Sequence, residues 1–332
     1  MPRVVHAPGR VNLIGDHTDY VGGLVMPMAI DTGITITVEP GGDTVELRSS
    51  LDPQPCSFTV PFNDDPATIE PAWARFVAAM AHRMGAGSGV TGTVDSTLPA
   101  GAGLSSSAAL LCAVGLALGF DGTPHELAVT ARAAEHQATG VPTGIMDQLC
   151  IASAVEGHAV LIDCRSESVE PVPVPGEAVI AVRFVEPRTL VGSGYADRVA
   201  ECARVEGMIG ALREASVDDL AALDDPLLVR RARHVITENE RVRQVASAFR
   251  SGELATAGAV MNDGHTSLRD DYEISTPTID AAIDAARAIP GVLGARLTGG
   301  GFGGSIVALA TPGAQLGDGW SVVRPSGPAR VL

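Results

Sequence analysis

A chain of 332 residues exceeds the size at which one apolar core keeps growing, so two packed domains are expected. With 45% hydrophobic and 19% charged residues it is not a disordered chain. A formal net charge of −16 excludes recognition of nucleic acid or anionic membrane, which needs clustered cations.

All 23 basic residues are arginine. Without lysine the chain can hold neither a Walker-type phosphate loop, nor the strand lysine of a protein kinase, nor a Schiff-base nucleophile. Cys56, Cys112, Cys150, Cys164 and Cys202 are odd in number and lack any C-x-x-C pair, so buried free thiols are expected. No apolar stretch of secretion-signal length is seen near Met1, and the longest apolar run, residues 108–120, is too short to span a membrane.

In chain order, residues 25–38 have strand character, with β-branched alternation closed by Glu39-Pro40-Gly41-Gly42. A helix is predicted over 73–84, a strand over 90–97 and an all-apolar, central helix over 104–118. Thr123-Pro124-His125-Glu126 combines a capping threonine, a first-turn proline and a glutamate reaching back, so a helix should start there and run to Thr139. Gly140 to Gly144 break it, and a second helix follows over 145–154. Pro171, Pro173 and Pro175 punctuate an extended segment, placed as the junction between domains 1–176 and 177–332. Beyond it come a strand (179–185), helices (195–214, 227–249, 277–288) and two strands (292–297, 305–310) around a glycine run. The fold class is α+β.

Pro99-Ala100-Gly101-Ala102-Gly103-Leu104-Ser105-Ser106-Ser107 joins a strand to the buried helix through two glycines and three serines. That composition lets backbone N–H groups turn inward on an anion at a helix N-terminus. Taken alone, it reads equally as a glycine turn with a serine cap. A helix terminus offers only ~0.3–1 kcal/mol per anion, up to ~2. With no lysine, a triphosphate there requires arginine or a divalent cation, so Mg²⁺ is expected, met by a serine hydroxyl and a carboxylate such as Glu135. Outside such a site, Glu135 is an ordinary solvated helix residue.

Three segments together resemble the motifs of the GHMP small-molecule kinases, named for galacto-, homoserine, mevalonate and phosphomevalonate kinases. They are Pro8-Gly9-Arg10-Val11-Asn12-Leu13-Ile14-Gly15-Asp16-His17-Thr18-Asp19-Tyr20, which resembles the galactokinase signature, the phosphate loop, and Leu297-Thr298-Gly299-Gly300-Gly301-Phe302-Gly303-Gly304. Three further stretches, 144–148, 188–195 and 265–272, are similar to galactokinases, and the last is assigned no chemistry.

The resemblance implies a two-domain GHMP kinase fold, with an N-terminal domain like domain 2 of ribosomal S5 and a ferredoxin-like C-terminal one. It implies ATP as co-substrate, Mg²⁺ as cofactor and phosphorylation of α-D-galactose at the anomeric hydroxyl. Asp147 would accept the hydroxyl proton and Arg10 would stabilise charge on the transferring group; otherwise they are a helix-start carboxylate and a surface ion pair. Asp16, His17, Asp19, Gly144, Asp147 and Tyr195 would meet the sugar, and His17 and Asp19 would otherwise be loop residues. Pro99, Gly101, Ala102, Gly103, Leu104, Ser105, Ser106 and Ser107 would bind ATP, and Ser106 and Glu135 the metal.

The chain departs from the pattern at Asp16, where glutamate is usual and the reach is shortened by ~1.5 Å at most, at Val21 for asparagine, and at Gly194 for an acidic residue. Kinases of N-acetylgalactosamine, galacturonate or arabinose are alternatives, as is a non-catalytic sugar and ATP sensor. A monomeric, cytoplasmic enzyme is expected.

Overall fold

The computed structural model describes residues 2–99, 101–187 and 194–332. The strands are β1 (Arg3–Ile14), β2 (Leu24–Pro40), β3 (Thr44–Ser49), β4 (Cys56–Thr59), β5 (Val90–Ser96), β6 (His158–Asp163), β7 (Ser168–Pro173), β8 (Val179–Glu186), β9 (Val292–Thr298), β10 (Gly304–Ala310), β11 (Trp320–Val323) and β12 (Arg330–Val331). The α-helices are α1 (Ala74–Met84), α2 (Ser106–Ala117), α3 (Pro124–Thr139), α4 (Met146–Ser153), α5 (Tyr195–Ile209), α6 (Pro226–Ser251), α7 (Leu254–Asp270) and α8 (Pro277–Arg287).

The strands form two sheets. The first runs β12-β1-β2-β5-β3-β4, with the β6–β7 hairpin attached through β2, and the second runs β11-β8-β10-β9. The first is antiparallel except for the β3–β5 pair, and the second is antiparallel throughout. The class is therefore the expected α+β.

Pro171 and Pro173 lie in β7, whose ladder partner is β6. Proline removes a ladder donor and is tolerated at such an edge. The chain crosses between the sheets after Pro173 and returns when β12 pairs with β1.

Helix α2 is buried on nearly every side, its Ala108 to Gly115 run packed among β1, β2, α1, α3 and α4. The capping box of α3 forms as the sequence dictates, with Thr123 and Glu126 exchanging hydrogen bonds. Helix α5 ends earlier than the predicted Glu214. Gly210 has φ +85°, and the Glu206 carboxylate accepts from the Leu212 N–H, so the chain turns away from the helix axis. Helix α7 has no counterpart in the sequence reading. It packs its Gly258 and Gly264 against β9, where Cβ atoms would strike Leu293 and Arg296. All five cysteines are buried and free. Among the described residues no helix is long and apolar enough to cross a membrane.

Direct bonds stitch the sheets together. The Asn12 N–H donates to Thr298 Oγ1 at 3.0 Å, which donates back to the Asn12 carbonyl at 2.9 Å. Ser305 Oγ donates to the Ala102 carbonyl at 2.6 Å. These contacts lie under a cleft.

Candidate active site

The cleft has a cavity volume of about 260 Å³, and Arg10, Asp16, His17, Asp19, Gly144, Asp147 and Tyr195 line it together with the phosphate loop and Glu135. Residues predicted from positions 10 to 195 therefore converge on one cavity. Their arrangement follows from four local features.

The first is β1. Its ladder with β2 slips between Pro8 and Arg10, and an irregularity of this kind re-aims side chains. Arg10 is almost fully buried and grips Asp147 with both arms, Nε to Oδ1 and Nη2 to Oδ2 at 2.6 Å each, while Nη1 donates to the Gly103 carbonyl at 2.7 Å. Burial works against the guanidinium's charge, but the Asp147 carboxylate outweighs it and raises the Arg10 pKa. Such a bidentate pair fixes geometry as well as charge.

The second is the phosphate loop. Gly101 and Gly103 take φ of +71° and +73°, and Ser105 follows at +61°, so α2 begins at Ser106 rather than at the predicted Leu104. Ser105 does not cap the helix; its hydroxyl donates to Asp147 Oδ2 instead. The first-turn N–H groups thus receive no side-chain cap from the described residues and are left for an anion. Pro99, Ala102 and Leu104 shape the loop from behind. The Pro99 carbonyl accepts from Ala102 N–H, and the Leu104 carbonyl from Arg10 N–H at 3.1 Å.

The third is the α3–α4 pair. Glu135, late on α3, accepts from Ser107 Oγ at 2.5 Å and from Gln148 Nε2. Ser106 also lines the cleft, but the hydroxyl that reaches Glu135 is that of Ser107. Burial pushes the Glu135 carboxyl up to about 7. Asp19 is likewise pushed up to about 7, by burial first and by the neighbouring Asp147 charge second. Gly144 lies against Asp19, since a Cβ there would sit 2.8 Å from Asp19 Cβ and nearer still to its carboxylate.

The fourth is the seam between the first motif and the third. Asp16 is buried, with Oδ1 accepting from Gly299 N–H at 2.8 Å and Oδ2 from Arg296 Nη2 at 2.7 Å. His17, at φ +64°, directs Nε2 to the Gly300 carbonyl at 3.1 Å. A carbonyl only accepts, so Nε2 carries a proton. His17 Nδ1 meets Tyr20 OH at 2.9 Å, which meets Tyr272 OH at 2.6 Å, which meets Cys202 Sγ at 3.1 Å. Tyr195 completes the cluster, its ring 5.1 Å from His17. The third-motif glycines are thus tied to the first motif. The 265–272 stretch, to which its motif assigns no chemistry, supports the cleft through buried Tyr272.

A second cavity of about 300 Å³ shares Ser106 and Ser107 with the cleft and is walled by Ile34, Leu51, Trp73 and Phe76. Its walls come from separate strands, the loop after β3 and the start of α1, so no single stretch of sequence marks it. Of the 188–195 stretch, residues 188–193 lie outside the described part of the structure, as does Ala100.

Fold and cleft together define a GHMP kinase. The models for the GHMP kinases N terminal domain and GHMP kinases C terminal match residues 72–155 and 245–320. The galactokinase galactose-binding signature matches residues 1–40. A galactokinase of Chloroflexus aurantiacus is 42% identical over 92% of this chain and 83% of its own length, and that of Homo sapiens is 40% identical over the same shares. The crystal structure of Lactococcus lactis galactokinase complexed with galactose superposes with a TM-score of 0.91 at 30% identity, covering 100% of this chain and 95% of the other. Methanococcus jannaschii mevalonate kinase, at TM-score 0.70 and 18% identity over 98% of each chain, shares the fold. The chain belongs to the galactokinase family.

Proposed function

We propose that this protein transfers the γ-phosphoryl group of ATP to the anomeric hydroxyl of α-D-galactose. The observation that carries the reading is the Arg10–Asp147 pair at the uncapped start of α2. An acceptor hydroxyl in the cleft would lie between a carboxylate able to take its proton and a phosphate held by loop N–H groups. Phosphoryl transfer is catalysed mainly by positioning and electrostatics, and Arg10 supplies both.

Asp16, His17, Asp19, the Gly144 backbone and Tyr195 form the sugar side, a mixed set of donors and acceptors suited to reading hydroxyl configuration. The apolar cavity beyond Ser106 takes the adenine base, with the glycines and serines from Gly101 to Ser107 on the phosphates.

The residues present fit Mg²⁺. The Glu135 carboxylate and the Ser106 and Ser107 hydroxyls offer oxygen ligands, and Gln148 Oε1 is buried without a hydrogen-bond partner among the described residues. Ser106 and Glu135 would hold the ion, with Ser107 and Gln148 orienting the carboxylate. Bound there, the ion would neutralise phosphate charge that no lysine can meet. Among the described residues no cluster of three His, Cys, Asp or Glu forms a metal cage. A magnesium site completed by phosphate and water needs none.

We read the domains as 1–176 and 177–332, with the β12 strand returning to the first. The protein acts as a cytoplasmic monomer without nucleic-acid or membrane partners, in keeping with its net charge of −16.

ADP formation across free galactose, N-acetylgalactosamine, galacturonate and arabinose, with and without Mg²⁺, tests the assignment. Turnover is expected on galactose and only with the metal. Faster turnover on another sugar would reassign the acceptor, and none on any sugar would favour a sensor.

A further inference from the structure

Behind the sugar side of the cleft lies a buried ion cluster that the phosphoryl-transfer chemistry does not use. Arg296 on β9 is fully buried, and its Nη2 donates to Asp16 Oδ2 and to Glu238 Oε1, both at 2.7 Å. Glu238 on α6 is also fully buried. Its Oε1 accepts from the Gly15 N–H at 2.9 Å and its Oε2 from Arg241 Nε at 2.6 Å. His234, one turn earlier on α6, donates from Nε2 to the Asp16 carbonyl at 3.1 Å. The cluster therefore holds Gly15 and Asp16 from the first motif, and through Asp16 Oδ1 it holds Gly299 of the third.

The charges alternate as Arg241, Glu238, Arg296, Asp16, and sum to zero. Each buried carboxylate faces a guanidinium, which such burial requires. Burial pushes the Asp16 pKa above the usual carboxylate range, and Arg296 is the foremost group opposing that rise without cancelling it. Asn12, Glu238 and the Gly299 N–H also act on Asp16, and the Arg10 guanidinium on β1 interacts with it as well. Arg296 also has a shaped seat. A Cβ on Gly264 of α7 would come 3.2 Å from Arg296 Cζ, nearer still to Nη1, and 3.1 Å from Ile14 Cδ1. The guanidinium fits because that helix position has no side chain.

We propose that Arg296, seated on Gly264 and backed by Glu238, is a positioning residue. It clasps the first-motif turn to the third-motif glycine loop and keeps Asp16 ionised as an acceptor facing the sugar. Arg296 is excluded from the cleft lining, so it acts through Asp16 and does not touch substrate. The proposal rests on the reading that the cleft holds a sugar.

The test compares the full-length parent with Arg296→Met, Arg296→Lys and Gly264→Ala. In Arg296→Met and Gly264→Ala the KM for galactose should rise by about ten- to a hundredfold, while the KM for ATP stays within about twofold. Arg296→Lys, which keeps charge but not the fork, should fall between these and the parent. The pH response separates charge from shape. The ratio of variant to parent kcat/KM for galactose should fall as pH is lowered from about 8 to 6 for Arg296→Met, whose Asp16 has lost its cation. It should stay flat for Gly264→Ala, which displaces the guanidinium but keeps it.

Hydrogen exchange gives a readout independent of sugar. Protection should drop selectively in peptides covering 15–19 and 298–303, where Gly15 and Gly299 N–H bond to the cluster carboxylates. Parent-like galactose KM together with parent-like protection in folded Arg296→Met would overturn the proposal. If that variant fails to accumulate, the same readouts on Gly264→Ala and Arg296→Lys decide it. Absence of galactose turnover in the parent would instead sink the sugar reading, leaving exchange to judge the clasp.

Discussion

Replacing Gly144 by alanine tests how closely the sugar side is packed. The backbone φ of Gly144 is outside the left-handed region, so alanine brings no conformational strain of its own, and the whole effect must come from the added methyl. That methyl would lie 2.8 Å from Asp19 Cβ, whereas a relaxed carbon–carbon contact is about 3.5–4.0 Å. Asp19 must therefore retreat by on the order of 1 Å, or the α3–α4 loop must swing away by as much. A misplacement of that size costs about a hundredfold in rate, roughly 2.7 kcal/mol of transition-state stabilisation. Steady-state kinetics should show kcat/KM for galactose down by about that factor with the KM for ATP little changed. A thermal melt run alongside confirms folding. A folded Gly144→Ala protein with parental kcat/KM for galactose would refute the assignment of Asp19 and Gly144 to the sugar side.

Ser305→Ala removes a side-chain bond from β10 to the phosphate loop and leaves the Ala102 carbonyl without it. A loss of ~1–3 kcal/mol of stability in denaturant titrations is expected, with a raised KM for ATP. Glu135 and Asp19 both carry pKa values raised by burial to about 7. The stability they contribute is complete below the ordinary carboxylate range and is lost as pH rises from there through 7, so the free protein's melting temperature should fall between about pH 5 and 7 and level off above that. Binding of MgATP at pH 7 should release about half a proton from Glu135, seen by calorimetry in buffers of different ionisation enthalpy, and Glu135→Gln should abolish the release.

The parts of this fold legible in the sequence are those whose determinants are local. Thr123 and Glu126 announce a helix start because a capping box is complete within four residues. The loop from Pro99 to Ser107 is visible because backbone turned on an anion needs glycine at fixed places, and Gly101 and Gly103 have the positive φ that this requires. Helix α7 was hidden by the same residue type. Gly258 and Gly264 lower its helix propensity, and their reason for being there is contact with Leu293 and Arg296, 35 and 32 residues further along the chain. The ion cluster was illegible for a similar reason. Glu238 and Arg241 read as an ordinary i,i+3 pair on a helix surface, and nothing local reveals that Arg296 and Asp16 meet them in the interior. The first motif marks Asp16 only as a sugar contact, yet both of its oxygens are also held by the third motif's strand and loop.

Asp147, gripped by Arg10 at the start of α2, should serve the transfer step and not nucleotide binding. Turnover of galactose and MgATP affinity of Asp147→Ala, measured on the same preparation, test it most directly. Turnover should be lower by ~10²–10⁴-fold with nucleotide affinity largely retained. Near-parental kcat, or loss of nucleotide affinity in step with turnover, would contradict it.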